Sequence, residues 1–353
     1  MLPLDPLTDD RLPDVPHPRE TETLFGQEAA VSTFLQAFQS GRLHHAWILT
    51  GPEGVGKASF AYQAARFLLD PNPAASLANS LAQGRFVADP HSQISRQVLA
   101  LSHPDLHVLR RQAENEKKTI PTEITVDYAR AAIQFFASTA GAGGYRVLIV
   151  DSADHLNRSS ANALLKAIEE PPTKAVIFIV AHRWGRLLPT IRSRCQILPF
   201  RSLETADIVK VLMASGQEEA EAQQAALRAK GSARRAYQWL DERFASVSTH
   251  VEHLLQQLPD YDRREVLVMS EAFGRKEGRS DFQTMRETVL DWIIAQVDRH
   301  ADEGVHRLAP LAELWEKIEQ AVREAESYNL DRRALALNMF NDLAAAVRRL
   351  RAV

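Results

Sequence analysis

The stretch that decides the fold runs from His45 to Phe60 and reads HAWILTGPEGVGKASF. Its apolar start, Ala46–Thr50, predicts a short buried strand, and the apolar spacing from Phe60 onward predicts a helix. The loop between them ends in Lys57 and matches G-x-x-x-x-G-K in the strand–loop–helix context of a phosphate-binding loop. Glycines let backbone N–H groups turn inward, and the helix N-terminus adds partial positive charge. The sequence therefore predicts a phosphate cradle.

Two positions that ATP hydrolysis needs carry unsuitable side chains. The residue after the P-loop Lys ordinarily offers Mg²⁺ a hydroxyl, and here it is Ala58. A second apolar strand ends at Asp151, the position of a Walker B carboxylate, 94 residues after Lys57. Ser152 follows it where a water-activating Glu is expected, and Asp154 lies too far along to substitute. We expect no independent ATP turnover, and nucleotide binding stays open.

The composition bounds the class of protein. The chain has 353 residues, 45% of them hydrophobic and 25% charged, which is typical of a multidomain globular protein. A net charge of −3 argues against a surface devoted to nucleic acid. One cysteine, Cys195, excludes an intramolecular disulfide. No apolar run approaches the roughly 18 residues of a membrane span, and no signal peptide is recognisable, so we expect a cytoplasmic protein.

Strands and helices alternate up to about residue 200. Further strands are predicted at Leu106–Leu109, Ala175–Val180 and Cys195–Leu198, with intervening helices at Val126–Phe136 and Ser159–Glu170. This alternation predicts an α/β domain with a mostly parallel sheet covered on both faces. The proline-rich residues 1–20 are expected to form a flexible arm, and residues 70–103 an insertion.

Beyond residue 200 the pattern is helical to the end. Three short helices are predicted at Thr205–Ala214, Glu218–Ala229 and Ser232–Phe244, and longer ones follow from Val247. The last has apolar residues at i, i+3 and i+4 spacing between Leu335 and Leu350. The fold class is therefore α/β followed by all-α.

Three segments carry a resemblance to a known family. They are HHAWILTG at 44–51, NALLKAIEEPP at 162–172 and LPTIRSRC at 188–195, with weaker similarity at 231–236 and 329–334. Together they resemble the AAA+ subunits of bacterial sliding-clamp loaders, most closely the delta-prime branch of the DNA polymerase III machinery. The resemblance covers about residues 24–200.

The resemblance implies a domain plan and partners. It implies an AAA+ P-loop domain with a parallel sheet at 21–200, a small helical lid at 201–246 and a C-terminal helical collar for oligomerisation at 247–353. The expected partners are gamma/tau and delta subunits in a heteropentamer, the sliding clamp, and primer–template DNA held by the assembled ring, with no membrane. Nothing resembles a nucleotidyl-transfer site, so DNA-directed DNA polymerase activity would belong to the holoenzyme.

The resemblance also assigns roles to residues. Arg194, in Ser-Arg-Cys, matches the arginine finger that such subunits offer in trans to ATP on a neighbour. Taken alone, loop arginines such as Arg192 and Arg194 are usually just solvated. Arg234 falls at the second sensor position of the lid, where a solvated helix is an equal interpretation, and His182 at the first. The expected ATP or ADP contacts are Gly51, Gly54, Val55, Gly56, Lys57, Ala58, Asp151 and Arg234.

No metal site is predicted. The related motor subunit and many delta-prime proteins carry a four-cysteine zinc module after the P-loop helix, but residues 70–105 contain no cysteine. We therefore expect no zinc.

Three functions compete. The preferred hypothesis is a clamp-loader subunit that supplies Arg194 in trans without hydrolysing ATP. The alternative is an active gamma/tau-like motor ATPase in which Ser59 or a water replaces the Mg²⁺ ligand. A P-loop module that binds DNA alone is the third, and the near-neutral charge argues against it.

Overall fold

A computed structural model describes residues 15–111, 121, 123–137, 144–275, 278–301, 304–328 and 330–352. The chain divides into two compact units, one ending at Tyr237 and one beginning at Gln238. The first contains both the P-loop and the loop that carries Arg194.

The first unit alternates helices with strands before it becomes helical. Its helices are α1 Glu28–Gln39, α2 Lys57–Leu69, α3 Pro73–Gln83, α4 Gln93–Leu99, α5 Val126–Ala137, α6 Arg158–Glu169, α7 Pro189–Arg192, α8 Thr205–Ala214, α9 Glu219–Arg228 and α10 Ala233–Leu240, the last of which runs past its end. Its strands are β1 Ala46–Thr50, β2 Leu106–Leu109, β3 Arg146–Val150, β4 Ala175–Ala181 and β5 Gln196–Pro199. Within the segment expected as an insertion, α3 and α4 are helical.

The sheet has the order β2-β3-β4-β1-β5, and every pairing is parallel. β4 lies between β1, which leads into the P-loop, and β3, which leads to Asp151. Parallel strands end at the same edge, so both loops open on the carboxyl edge where α/β folds bind ligands. The predicted α/β class, followed by helices alone, is confirmed.

Both faces of the sheet are covered, which explains the unbroken apolar runs. In β1, Trp47 and Leu49 belong to a core shared with α1 and α2, because successive side chains of a strand point to opposite faces. Ala46 and Ile48 belong to a second core shared with α5 and α6. A strand buried on both faces reads as continuously hydrophobic.

Residues 15–20, which the sequence predicted to be part of a flexible arm, are packed against the rest of the first unit. A short 3₁₀-helix spans Pro18–Glu20, and the side chains of His17 and Arg19 are buried. The His17 ring meets the Tyr62 ring edge-on, with 5.9 Å between their centroids. Arg66, also on α2, donates hydrogen bonds to the carbonyl oxygens of Arg19 and Thr21. The described part of the arm is therefore packed, and residues 1–14 lie outside the described residues.

The expected helix Ser232–Phe244 is two helices, which corrects the sequence prediction. α10 ends at Leu240, and α11 begins at Glu242. Asp241 interrupts them because its carboxylate accepts a hydrogen bond from the backbone N–H of Phe244 at 2.7 Å, which makes it an N-cap. The two units also divide within α10 rather than at 246. The finer division into lid and collar stays a prediction.

The second unit is helical over its described residues. It contains α11 Glu242–Gln256, α12 Arg263–Phe273, α13 Gly278–Arg299, α14 Val305–Tyr328 and α15 Arg332–Ala352 around one apolar core. Arg243 and Asp281 join α11 to α13 through a two-pronged ion pair, with N–O distances of 2.6 and 2.9 Å. None of the described helices is long and apolar enough to cross a membrane.

The aromatic core beside the P-loop generates a stability prediction. Phe34 is fully buried and contacts the rings of Trp47, Phe60 and Phe178. We expect Phe34→Ala to lower the free energy of unfolding of the first unit by about 3–5 kcal/mol. The substitution leaves a cavity that the surrounding aromatic rings cannot move in to fill. Urea unfolding followed by tryptophan fluorescence measures the change.

The exposed Leu227 on α9 gives the control, since Leu227→Ala should stay within about 0.5 kcal/mol of wild type. Equal losses for the two variants would contradict the described core.

Candidate functional site

The P-loop joins β1 to α2 and depends on three glycines with positive φ. The φ angles are 138° at Gly51, 76° at Gly54 and 97° at Gly56. A Cβ on Gly51 would lie 2.3 Å from the carbonyl oxygen of Phe200, and one on Gly54 would lie 2.2 Å from Ser232 Oγ. Only glycine combines these backbone angles with such close approach. The glycine-rich loop predicted between β1 and α2 is present, and its binding of phosphate stays a prediction.

Lys57, the first residue of α2, folds back into the loop. Its buried Nζ donates hydrogen bonds to the carbonyl oxygen of Gly51 at 2.6 Å and to that of Pro52. Burial lowers its pKa to about 8, while the negative charges of Glu53, Asp154 and Asp151 oppose the change. A bound phosphate would have to draw this amine away from the loop carbonyls.

The loop after β3 uses its carboxylate for structure. Asp154 accepts hydrogen bonds from the backbone N–H groups of His182 at 2.7 Å and Arg183 at 2.8 Å, just beyond β4. Ser152 Oγ also donates to Asp154, at 3.2 Å. The Asp154 side chain therefore ties the Asp151 loop to the end of β4, a role that the sequence analysis missed. Ser152 itself has no carboxylate at the position where a water-activating Glu is expected.

The start of α10 lies directly on the P-loop. The backbone N–H of Ala233 donates to the carbonyl oxygen of Gly54 at 2.9 Å. The side chains of Arg234 and Glu53 form an ion pair with a 3.3 Å N–O distance. The structure thus brings Arg234 to the predicted nucleotide-binding loop, where its guanidinium is paired with the Glu53 carboxylate.

The side chain of Gln27, just before α1, also holds the P-loop in place. Its Nε2 donates to the carbonyl oxygens of Val55 at 3.1 Å and Arg201 at 2.7 Å. It therefore links the glycine-rich loop to the segment that follows β5. No sequence pattern indicates this contact, because the partner atoms belong to the backbone.

Arg194 lies on the exposed loop between α7 and β5. Its Nη1 donates to the carbonyl oxygen of Thr190 at 3.1 Å and to Ser193 Oγ at 3.3 Å, and its Nε lies 2.8 Å from Glu169 Oε1. In the described part of the chain these contacts come from α6, α7 and the loop itself, and none comes from the P-loop. Arg194 is therefore separate from this chain's own cradle.

The neighbours of Arg194 have other environments. The Arg192 guanidinium stacks over the Trp184 ring, 5.2 Å from its centroid. Burial raises the pKa of the Cys195 thiol to about 12, so the thiol stays protonated at neutral pH. Cys195 is thus a packing residue, and it lies against the core shared with α5 and α6.

The described residues contain no group of three or more His, Cys, Asp or Glu side chains arranged to hold a metal ion. Ala58 adds no oxygen ligand at the Mg²⁺ position of the P-loop.

The fold and site together define an α/β P-loop protein. Residues 26–204, just over half of the chain, match the family model described as DNA polymerase III, delta subunit. The chain belongs to this family.

Its similarity to individual proteins agrees with that assignment. It is 35% identical to the DNA polymerase III subunit delta' of Pseudomonas aeruginosa over 60% of this chain and 62% of that protein. It is 33% identical to the delta' subunit of Escherichia coli K12 over 46% and 43% of the two chains. It is also 33% identical to a gamma/tau subunit of Mycobacterium tuberculosis H37Rv over 53% and 29%. The aligned parts span about two fifths to three fifths of these delta' relatives.

Solved structures are more distant. A DNA polymerase III gamma subunit-related protein from Thermotoga maritima is 17% identical with a TM-score of 0.37, over 91% of this chain and 99% of that one. A P216G mutant of Thermotoga maritima RuvB is 22% identical with a TM-score of 0.38, over 67% of each chain.

The buried amine of Lys57 generates a pH prediction. Its pKa is about 8 in the folded chain against an ordinary 10.5, so between these values only the unfolded chain keeps the proton. Stability then rises with pH in this window, by up to about 1.4 kcal/mol per pH unit. The quantity to compare is the unfolding free energy of the wild type minus that of Lys57→Met. We expect this difference to increase between pH 8 and pH 10.5 and to stay constant below and above that range.

Urea unfolding of both proteins at each pH measures this difference, which removes the other titrating groups. A difference that stays constant across the window would contradict the buried position of Lys57.

Proposed function

We propose that this chain is a delta-prime-like subunit of a DNA polymerase III clamp loader. In this role it helps load the sliding clamp onto primed DNA. It supplies Arg194 in trans to ATP on a neighbouring subunit and does not hydrolyse ATP itself.

The observation that carries the proposal is an exposed Arg194 in a chain whose own cradle lacks hydrolytic groups. The Arg194 side chain is 42% exposed, and its Nη2 makes no hydrogen bond to a described residue. In the cradle, Ala58 has no hydroxyl for Mg²⁺, and Ser152 has no carboxylate to polarise water. The chain is equipped to assist hydrolysis elsewhere rather than perform it.

An arginine suits this role for physical reasons. Its guanidinium stays charged at any physiological pH and offers planar N–H groups that match phosphoryl oxygens. Charge develops on the transferred phosphoryl group in the transition state, and a guanidinium there is worth about 10³–10⁵ in rate in other NTPases. An exposed finger can reach a phosphate on another subunit.

The chain's own P-loop fits the phosphates of ATP or ADP but not their Mg²⁺. Gly51, Gly54 and Gly56 allow the positive φ angles of a loop whose backbone N–H groups could bind phosphate oxygens, and Lys57 starts the helix that follows. A bound nucleotide would supply negative charge that favours the ammonium form of Lys57. It would also compete with Glu53 for Arg234. Nucleotide binding is therefore proposed as structural.

The partners follow from the same role. The relatives are named delta' and gamma/tau subunits, and we propose that this chain joins gamma/tau and delta subunits in a pentameric ring through its helical second unit. The sliding clamp and primer–template DNA would be contacted by the assembled ring, DNA mainly through its phosphates and with steep salt dependence. Polymerase chemistry would remain with the holoenzyme.

Substitution of the finger tests the proposal. In a clamp loader reconstituted with this chain, we expect Arg194→Ala to lower clamp- and DNA-stimulated ATP turnover by at least the share of one ATP site, because that site loses its guanidinium. Steady-state phosphate release measures the loss. Arg42→Ala, which removes an exposed arginine between α1 and β1, is the control and should behave as wild type. Unchanged turnover with Arg194→Ala would contradict the proposal.

The missing hydroxyl at Ala58 generates a second test. We expect the isolated chain to bind ADP equally well with Mg²⁺ and with EDTA, because no protein oxygen at position 58 holds the ion. Ala58→Ser should make binding tighter with Mg²⁺, and Lys57→Ala should weaken it under both conditions. Isothermal titration calorimetry measures the affinities.

The same samples separate the motor alternative. Mg²⁺-dependent ATP turnover by the isolated wild-type chain, abolished by Lys57→Ala, would favour a gamma/tau-like motor instead.

A further inference from the structure

The finger arginine has a carboxylate partner within its own chain. Glu169, the last residue of α6, places Oε1 2.8 Å from Nε of Arg194. We propose that Glu169 is a positioning residue that orients the Arg194 guanidinium for the phosphate on the neighbouring subunit. This inference rests on the proposed function, because it concerns the same finger.

The distribution of contacts around the guanidinium is uneven. Glu169 lies against the Nε edge, and Nη1 donates to the Thr190 carbonyl oxygen and to Ser193 Oγ. Nη2 makes no hydrogen bond to any residue that the structure describes. An arginine has five N–H donors in one rigid plane, so contacts at Nε and Nη1 fix the direction of Nη2. The Nη2 edge is therefore left to face a ligand.

The groups that hold the guanidinium lie on anchored elements. The ring Nε2 of His45 donates to the carbonyl oxygen of Ile168, at 2.8 Å, one residue before Glu169. Pro171 follows closely and cannot continue the helix. Thr190 lies in α7 beside the buried side chain of Ile191. The end of α6 and the start of the finger loop thus act as a fixed frame around a long side chain.

The energetics favour positioning over a role in stability. The side chains of Arg194 and Glu169 are 42% and 45% exposed. Ion pairs this exposed contribute about 0–1 kcal/mol to folding. Removing Glu169 should therefore leave the fold intact, whereas misdirection of a catalytic group can cost a large factor in rate. A residue that matters for rate and little for stability is a positioning residue.

Kinetics of the reconstituted clamp loader test the role. We expect Glu169→Ala to lower kcat at the site that faces Arg194 about tenfold and to leave KM for ATP unchanged, because orientation is used in the transition state. Glu169→Gln, which keeps an oxygen beside Nε but removes the charge, should recover part of the loss. Glu170→Ala removes the adjacent exposed carboxylate and should match wild type.

A second readout follows the guanidinium directly in the isolated chain. The Arg194 Nε–H resonance, assigned by its loss in Arg194→Lys, should shift and exchange faster with water in Glu169→Ala. It should be unchanged in Glu170→Ala. A merely structural role would not single out this resonance.

These experiments distinguish a failure of the positioning role of Glu169 from a failure of the proposed function of Arg194. If Arg194→Ala leaves turnover unchanged, the proposed function fails. If Arg194→Ala lowers turnover but Glu169→Ala matches wild type in kcat, only the positioning role fails. Faster turnover in Glu169→Ala would also overturn it, because the carboxylate would then restrain the finger.

Discussion

The first unit depends on how closely other segments press against the glycine-rich loop. Cβ atoms on Gly51, Gly54 and Gly56 would collide with Phe200, Ser232 and Leu24, respectively. The loop is therefore the meeting point of β5, the start of α10 and the segment before α1. Gln27 stabilises this arrangement, because its side chain donates hydrogen bonds to the carbonyl oxygen of Val55 in the loop and to that of Arg201 after β5. Because glycines at these positions let other protein segments approach the loop closely, they are structurally necessary whether or not the loop binds phosphate.

Sequence patterns predicted the sheet well because parallel strands buried on both faces leave an unmistakable apolar run. All five strands were located within a residue or two, and the β1–P-loop–α2 connection followed from the glycines. The errors arose where one polar side chain decided the local structure. Asp241 ends α10 by capping α11, and the burial of His17 depends on the Tyr62 ring, 45 residues away in the chain. Neither contact has a periodic signature.

The residues of the candidate site also fall into two groups, those that a local motif predicts and those that only the fold brings together. Lys57 and Arg194 were singled out because their motifs are local, and the structure places Lys57 at the glycine-rich loop and Arg194 on an exposed loop. Asp154 and Glu169 were missed because their partners lie 28 and 25 residues further along the chain, on different elements. A carboxylate at a loop or helix end looks solvated in a sequence until the fold brings a donor to it.

The two cations of the site differ in a way that suits separate roles. Lys57 is buried, and burial lowers the pKa of its ammonium because a lone charge there loses hydration. Two of its three N–H donors are used within the loop, so it strengthens the loop that contains it. Arg194 has enough N–H donors to bind its own chain and a ligand at once. A guanidinium with Glu169 beside Nε keeps its Nη2 edge directed away from these contacts, whereas a lysine with a single ammonium has no second edge to present. Under the proposed function, this geometry favours arginine for a group that one subunit positions and another uses.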